Sequence, residues 1–404
     1  MIDIGTGLSL GKNVIASAEE AVRQARNQKS AKTAADLAIV FATADYIPSA
    51  LLSSLNKLLG STPLIGATAP AIITNQGIFK HGIALMLLSF PDGVYFNCSG
   101  VSMDERPNAL QAGELMGERL LYGFKNVPRS LGLLFLDRIN ENSPEFVFGL
   151  QEKLGKSFPC IGASVCLPEA GPAYHTFCNE TALANGCAGI LWGGRLSFGL
   201  GIKHGWKPLG KPHTITQSYK NIIYRIDDKP AVELYAEYLG YEETRIRKEF
   251  KKISLLYPLG IRMPGQKDYL LKNLYALDDT GAFLTQGAVT EGTVVSLMIH
   301  THETALSATT EAVEEAQASL AIAPAKAHRG QVNSFGLVFD SMLRVTTFGR
   351  EAKRELAALK NSVPAQTPFI GMCTYTELAP LKSDTYRGQT YFQDQSISVV
   401  LIEG

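Results

Sequence analysis

The sequence has no excess of charge: 38 basic residues meet 38 acidic ones over 404 residues, so the net charge is zero. A chain with no field of one sign has no electrostatic reason to hold nucleic acid or an anionic membrane. Long apolar runs are missing as well. The stretch GIALMLLSF (82–90) is among the longest, and a spanning helix needs about 20 such residues. The opening MIDIGTGLSL has no basic stretch leading into an apolar one, so no signal peptide is expected. These absences predict a cytoplasmic protein that partners neither nucleic acid nor membrane.

Cysteine is scarce for the length. Cys98, Cys160, Cys166, Cys178, Cys187 and Cys373 show neither Cys-x-x-Cys nor zinc-finger spacing. Buried, reduced thiols are expected rather than a disulfide framework or a metal centre. Gly-x-Ser-x-Gly and His-Glu-x-x-His are both absent. The stretch GTGLSLGKN (5–13) has the look of a phosphate loop, but Thr6 stands five places before Gly11 where that loop needs glycine. In IHTHE (299–303), His300 and His302 could face one way, but a solvated strand end explains them as well.

What is present is material for large cores. Hydrophobic residues make up 46% and charged residues 19%, enough for two packed domains at this length. One short phrase returns along the chain: TPLIGATA (62–69), FPCIGASV (158–165) and TPFIGMCT (367–374). Each follows a strand-like run, LAIVFATAD (37–45), LGLLFLD (131–137) or FGLVFDS (335–341), and then a helix-like stretch. Pro48 and Pro144 suit first helical turns, with Ser143 as the expected N-cap, and Gly60 and Gly155 suit helix ends. A third apolar run closes each set, at 82–90, 186–194 and 396–404. The glycines Gly66, Gly162 and Gly371 mark strand ends where a backbone approaches closely. LLYPLGI (255–261) fits the same script, which adds Gly260 as a fourth copy. The expected fold is α/β, with α+β the alternative, in two domains of two strand-helix-strand-loop-strand units each. The polar stretch KPHTITQSYK (211–220) marks the seam, giving domains 1–215 and 216–404.

With these segments the chain resembles the FIST family, whose N-terminal and C-terminal domains form a sensory module. The resemblance rests on DLAIVFATADY, TPLIGATAPAI and GCAGILWGGRLSFGLGIKHGWKPLG in the first half. In the second it rests on RIDDKPAVELYAEYLG, EGTVVSLMI, NSFGLVFDSMLR and TPFIGMCTYTEL. The family closes its Ile-Gly loops in Gly-Glu-Ile. Here the C-terminal version, Thr376-Glu377-Leu378, keeps only the glutamate, and the N-terminal version, Pro70-Ala71-Ile72, keeps neither glycine nor glutamate. The resemblance implies a small-ligand sensor in signal transduction rather than an enzyme, with amino acids or related metabolites as ligands. It also implies a separate signalling partner, such as a histidine kinase, and admits a homodimer. The alternatives are a haem-binding nitric-oxide sensor and an uncharacterised α/β enzyme.

Two sets of residues carry these expectations. The loop after Gly371 offers Cys373, Thr374, Tyr375 and Glu377, with counterparts at Thr68 and Ser164. A ligand's ammonium would meet Glu377 and its apolar part Tyr375; alternatively Glu377 accepts backbone amides in a turn. For haem, His204 beside Trp206 in GIKHGWKPLG (201–210) is the first axial candidate and His175 the second. The plainer account has His204 capping the turn into Gly205 while Trp206 packs at the domain junction.

Overall fold

The computed structural model describes residues 1–30, 34–137, 142–165, 173–263, 268–321, 333–381 and 389–404; Cys166 lies outside them. The first unit runs β1 (Asp3–Ser9), α1 (Val14–Gln28), β2 (Leu37–Thr43), α2 (Pro48–Leu59), β3 (Leu64–Ala69), a hairpin β4 (Ile72–Thr74) and β5 (Gly77–Phe79), then β6 (Ile83–Ser89). The second repeats that order: β7 (Val94–Ser102), α3 (Ala109–Leu120), β8 (Arg129–Leu136), α4 (Ser143–Leu154), β9 (Cys160–Ser164), hairpin β10 (Thr176–Cys178) and β11 (Thr181–Leu183), β12 (Gly186–Gly194).

The third unit begins with β13 (Ser197–Lys203) and is then interrupted. The insertion holds β14 (Lys207–Tyr219), β15 (Ile222–Ile226), β16 (Lys229–Pro230), α5 (Ala231–Leu239), α6 (Glu243–Leu256), β17 (Leu259–Arg262), β18 (Tyr269–Lys272), β19 (Leu274–Leu277), β20 (Phe283–Thr285) and β21 (Val294–Ile299). The unit resumes with α7 (His302–Ala321), β22 (Ser334–Ser341), α8 (Met342–Phe348), α9 (Ala352–Ser362), β23 (Phe369–Thr374), hairpin β24 (Thr376–Pro380) and β25 (Thr390–Asp394), and β26 (Ile397–Glu403). The chain is thus the mixed α/β protein expected. Among the described residues no helix is long and apolar enough to cross a membrane.

Local chemistry places these elements. Every residue of β2 is buried, as continuous apolar runs are when both sheet faces are covered. Pro48 sits in the first turn of α2, and Gly60 ends it at φ +65°. In α4 the N-cap is Asn142, one residue earlier than expected, with Ser143 already inside the helix.

The units are joined cyclically. Three sheets have the strand orders β1-β6-β2-β3-β10-β11, β25-β24-β9-β8-β12-β7 and β13-β26-β22-β23-β4-β5. Each unit therefore lends its hairpin to another unit's sheet. Inside each sheet the repeated phrase pairs in parallel with the strand before its helix: Val40 lies opposite Gly66, Leu134 opposite Gly162 and Val338 opposite Gly371. A Cβ added at Gly66 would fall 1.8 Å from the Val40 carbonyl oxygen, at Gly162 1.8 Å from Leu134 O, and at Gly371 2.0 Å from Val338 O. The recurring glycine is what lets the parallel neighbour approach. The next residue along, Phe41, Phe135 or Phe339, turns inward. The three rings meet at centroid separations of 5.4, 6.1 and 5.9 Å, edge to face, at the centre of the shared core.

Gly260 differs. It lies in a paired strand, β17, but both neighbours, β18 and β21, are antiparallel. The preceding β15 pairs with β14, β16 and β20 instead. A Cβ at Gly260 would meet side chains rather than backbone, Met298 Sδ at 2.5 Å and Tyr269 Cδ1 at 3.1 Å. With no parallel partner this fourth stretch cannot be a unit of the other three's kind; it belongs to the insertion. The polar stretch 211–220 lies largely in β14, which pairs with both β21 and β15.

Candidate functional site

A cleft of about 720 Å³ opens where β13, α7, the β24–β25 hairpin and the insertion meet. Leu200 and Ile202 of β13 and Pro380 and Leu381 give it apolar walls. Lys203, Asp268, Glu311, Glu315 and Gln393 supply polar groups, and His204 and Trp206 line one end.

Glycine spacing brings α7 onto β13. A Cβ at Gly199 would lie 1.8 Å from Ala316 O, and one at Gly201 1.8 Å from Ala312 O. The first unit does the same: Gly5 and Gly7 leave room for Ala25 O and Ala21 O, each at 1.9 Å. Gly5, Gly7 and Gly11 share the spacing of Gly199, Gly201 and Gly205. The phosphate-loop look of residues 5–13 thus has another cause: most of that stretch is β1, and its glycines seat a helix.

Lys203 ties the cleft together. Its Nζ lies 3.2 Å from Asp268 of the insertion and 3.2 Å from Glu315 of α7. Burial opposes its charge, but the two carboxylates outweigh that and hold its pKa above the usual lysine range. Ser307 donates its hydroxyl to Glu311 at 2.7 Å.

His204 is placed at this cleft, but both of its ring nitrogens are engaged. Nδ1 accepts from Trp206 N–H at 2.9 Å, which leaves Nε2 to donate to Tyr269 O at 3.2 Å. Burial lowers its pKa to about 4, so the ring is neutral. With no free lone pair, His204 as placed does not fit an axial haem ligand; it caps the turn, while Trp206 packs with Leu271 and Met298 of the insertion. His175 sits elsewhere, just before β10. Its backbone clasps Thr68, which donates N–H to His175 O at 2.9 Å and accepts His175 N–H on Oγ1 at 2.8 Å. The His175 Nδ1 is buried, with no hydrogen-bond partner among the described residues. His300 lies against Trp206 with ring centroids 4.0 Å apart, whereas His302 faces Glu351 at 3.5 Å. Among the described residues no three groups gather to hold a metal.

The Glu377 loop is a strand rather than a mouth. In β24, Thr376 pairs with Ser164 and Glu377 with Ala163, and Tyr375 donates N–H to Ser164 O at 3.0 Å. Glu377 is fully buried. Its carboxyl accepts from the Thr374 hydroxyl and, on the other oxygen, from Ser396 N–H at 3.1 Å and Ser396 Oγ at 2.6 Å. Cys373 is buried against the outer helical layer, and burial pushes its thiol well up. The structure thus joins Glu377, Thr374, Tyr375 and Ser164 between the third and second units. Thr68 stands apart on the first sheet.

Burial raises the Glu377 pKa to about 8, against three donors that lower it. The fold favours the protonated acid, so the stability this group contributes is complete below the ordinary glutamate value of about 4.3 and is lost as pH rises through about 8. Glu377→Gln cannot ionise. Urea unfolding at about pH 5, 7 and 9 should show the variant gaining on the parent at each step; a constant difference across that range would disprove a neutral Glu377.

Arg344 is a residue that sequence reasoning missed. It is buried, with Nε 3.1 Å from Asp340 and Nη2 2.5 Å from Glu355. It also donates to His204 O at 2.9 Å, to Ala305 O at 3.0 Å and to Thr309 Oγ1 at 3.2 Å. Burial and the Glu355 charge push Asp340 well above the usual carboxylate range. The cleft is thereby wired to the core twice: His204 to Arg344, and Gln393 as the cross-strand partner of Glu377.

Three units around one core, an insertion, and a cleft of ligand size at their junction make this a mixed α/β protein with a pocket for a small molecule. The chain belongs to the FIST family: the FIST N domain model matches residues 36–229 and the FIST C domain model residues 231–380. These domains are associated with signal transduction and small-ligand sensing. Two uncharacterised proteins of Mycobacterium tuberculosis, from strains CDC 1551 and H37Rv, are each 24% identical over 328 residues, spanning 78% of this chain and 82% of theirs. Among solved structures, a cyanuric acid hydrolase from A. caulinodans aligns over 100% of this chain and 99% of its own, at 8% identity and a TM-score of 0.39. That similarity is too weak to bear on function.

Proposed function

We propose that this protein senses a small organic ligand, an amino acid or related metabolite, in the cleft between β13, α7 and the insertion. The observation that carries this reading is the cleft's divided ownership. Its walls come from the third unit, from a hairpin paired to the second unit's sheet, and from the insertion. A ligand touching all three changes how they sit together, and only such a differential contact can shift a conformational equilibrium. Arg344 and the Gln393–Glu377 pairing carry that change toward the core. The signal then passes to a separate protein, such as a histidine kinase.

The test is thermal melting against a metabolite panel, followed by calorimetric titration of each hit. A ligand at a hundred times its Kd stabilises by about 2.7 kcal/mol. Lys203→Met removes the cation between Asp268 and Glu315 and should weaken binding about tenfold, as loss of a charge-assisted contact does. Hits whose affinity Lys203→Met leaves unchanged would place the ligand outside this cleft.

A further inference from the structure

Each unit leaves one strand at the edge of its sheet: β1, β7 and β13. In the first two, side chains of the following helix close that edge. Thr6 N–H donates to Gln28 Oε1 at 3.0 Å and Leu8 N–H to Gln24 Oε1 at 3.0 Å. On β7, Arg119 Nη1 donates to Gly100 O at 2.7 Å.

The third edge has the first edge's frame without its closure. Gly199 and Gly201 lie on Ala316 and Ala312 as Gly5 and Gly7 lie on Ala25 and Ala21. Leu200 therefore stands where Thr6 does and Ile202 where Leu8 does. The sheet registers agree: Thr6 is opposite Met86 in β6, and Leu200 opposite Val400 in β26. In a strand, the face a side chain takes fixes the side to which its N–H points. Leu200 and Ile202 thus turn their N–H and C=O groups into the cleft, which both residues line. On α7 the places of Gln28 and Gln24 are taken by Ser319, too short to reach, and Glu315, held by Lys203. Among the described residues, no side chain bonds the Leu200 or Ile202 amide.

Backbone donors and acceptors facing a cleft at strand spacing match a ligand that carries the same groups at that spacing, which is an extended peptide. The cleft runs beside α7 from Thr304 to Ser319, a span of about 22 Å at the helical rise that accommodates about six extended residues. Charge adds a preference. Asp268, Glu311 and Glu315 face Lys203 and Lys207, and among the described residues Glu311 is answered by the Ser307 hydroxyl alone. We propose that the cleft takes a short extended peptide, added as a strand to the free edge of β13, with a lysine or arginine side chain reaching Glu311. This rests on the reading of the cleft as the ligand site and puts a short peptide there in place of a single amino acid.

The experiment is hydrogen-exchange mass spectrometry of the full chain, with anisotropy for affinity. The probe is a hexapeptide library, acetyl-X-X-Lys-X-X-X-amide, with X drawn from Ala, Val, Thr and Leu. Parallel arms replace its Lys by Glu, methylate its backbone nitrogens, or use a mixture of free amino acids. The expected result is slowed exchange across β13 with the lysine library alone. Ser319→Gln, which restores the cap that Gln28 provides in the first unit, should cost about fivefold in affinity, the worth of one backbone hydrogen bond. Equal binding of the methylated or glutamate library would overturn the proposal. So would free amino acids protecting the cleft when no peptide does, although the cleft would then remain a ligand site. Failure of every arm would remove both readings.

Discussion

Replacing Arg344 by methionine should cost about 3–5 kcal/mol of stability, the range for removing one partner of a buried ion pair. The guanidinium is 2% exposed and answers Asp340, Glu355 and two backbone carbonyls at once. Methionine matches much of its volume and none of its donors. The loss approaches the whole stability of many domains, so the variant should unfold at a much lower urea concentration than the parent. A shift below about 1 kcal/mol would mean that the cluster reorganises around the gap.

The second large effect is expected at the repeated glycine. Gly371→Ala places a methyl 2.0 Å from the Val338 carbonyl oxygen, a backbone atom held in the parallel ladder. One strand must move, at about 3 kcal/mol or more by analogy with overpacked cores. Gly66→Ala and Gly162→Ala should behave alike, with Gly162 also strained at φ +146°. Gly260→Ala meets no backbone atom, only the Met298 side chain, able to swing aside, and the edge of the Tyr269 ring at 3.1 Å, and should cost about 1 kcal/mol. Similar losses at Gly371 and Gly260 would refute this account of the repeat.

Much of the frame was legible because it follows short-range rules. Buried parallel strands read as unbroken apolar runs, so 37–43, 131–136 and 335–341 stood out, as did the glycine after each helix. The false fourth copy reads alike, Pro258-Leu259-Gly260 for Pro-x-Ile-Gly, but is one residue shorter between proline and glycine; Gly260 also has no parallel strand beside it, and pairing partners are set by the rest of the chain. The exchanged hairpins were not legible. Strands such as Ile72–Thr74 and Thr176–Cys178 are three residues long, too short to show a period. The site was half legible. His204 and Trp206 do line the cleft, but Glu311 and Glu315 sit in no motif that singles them out. A sequence signal did exist, since Gly5-x-Gly7 and Gly199-x-Gly201 repeat ahead of alanine-rich helices; it was hidden by the insertion between β13 and α7. Glu377 was singled out as polar, and only burial reveals that it serves the strand crossing.

The lending of hairpins has a consequence for how the molecule comes into being. A ribosome delivers residues 72–79 early, but they join their sheet only when β23 arrives: Asn75 accepts from Phe369 N–H across 294 residues of sequence. The second sheet likewise waits for β24, and only the first can be completed from the earlier half of the chain. Contacts so distant in sequence form slowly. Until the last strands emerge, the nascent protein carries open edges of the sort that invite wrong partners. Completion of the second and third sheets therefore comes late, and a chain cut short by even one hairpin loses not a peripheral ornament but the strands that finish another unit's sheet.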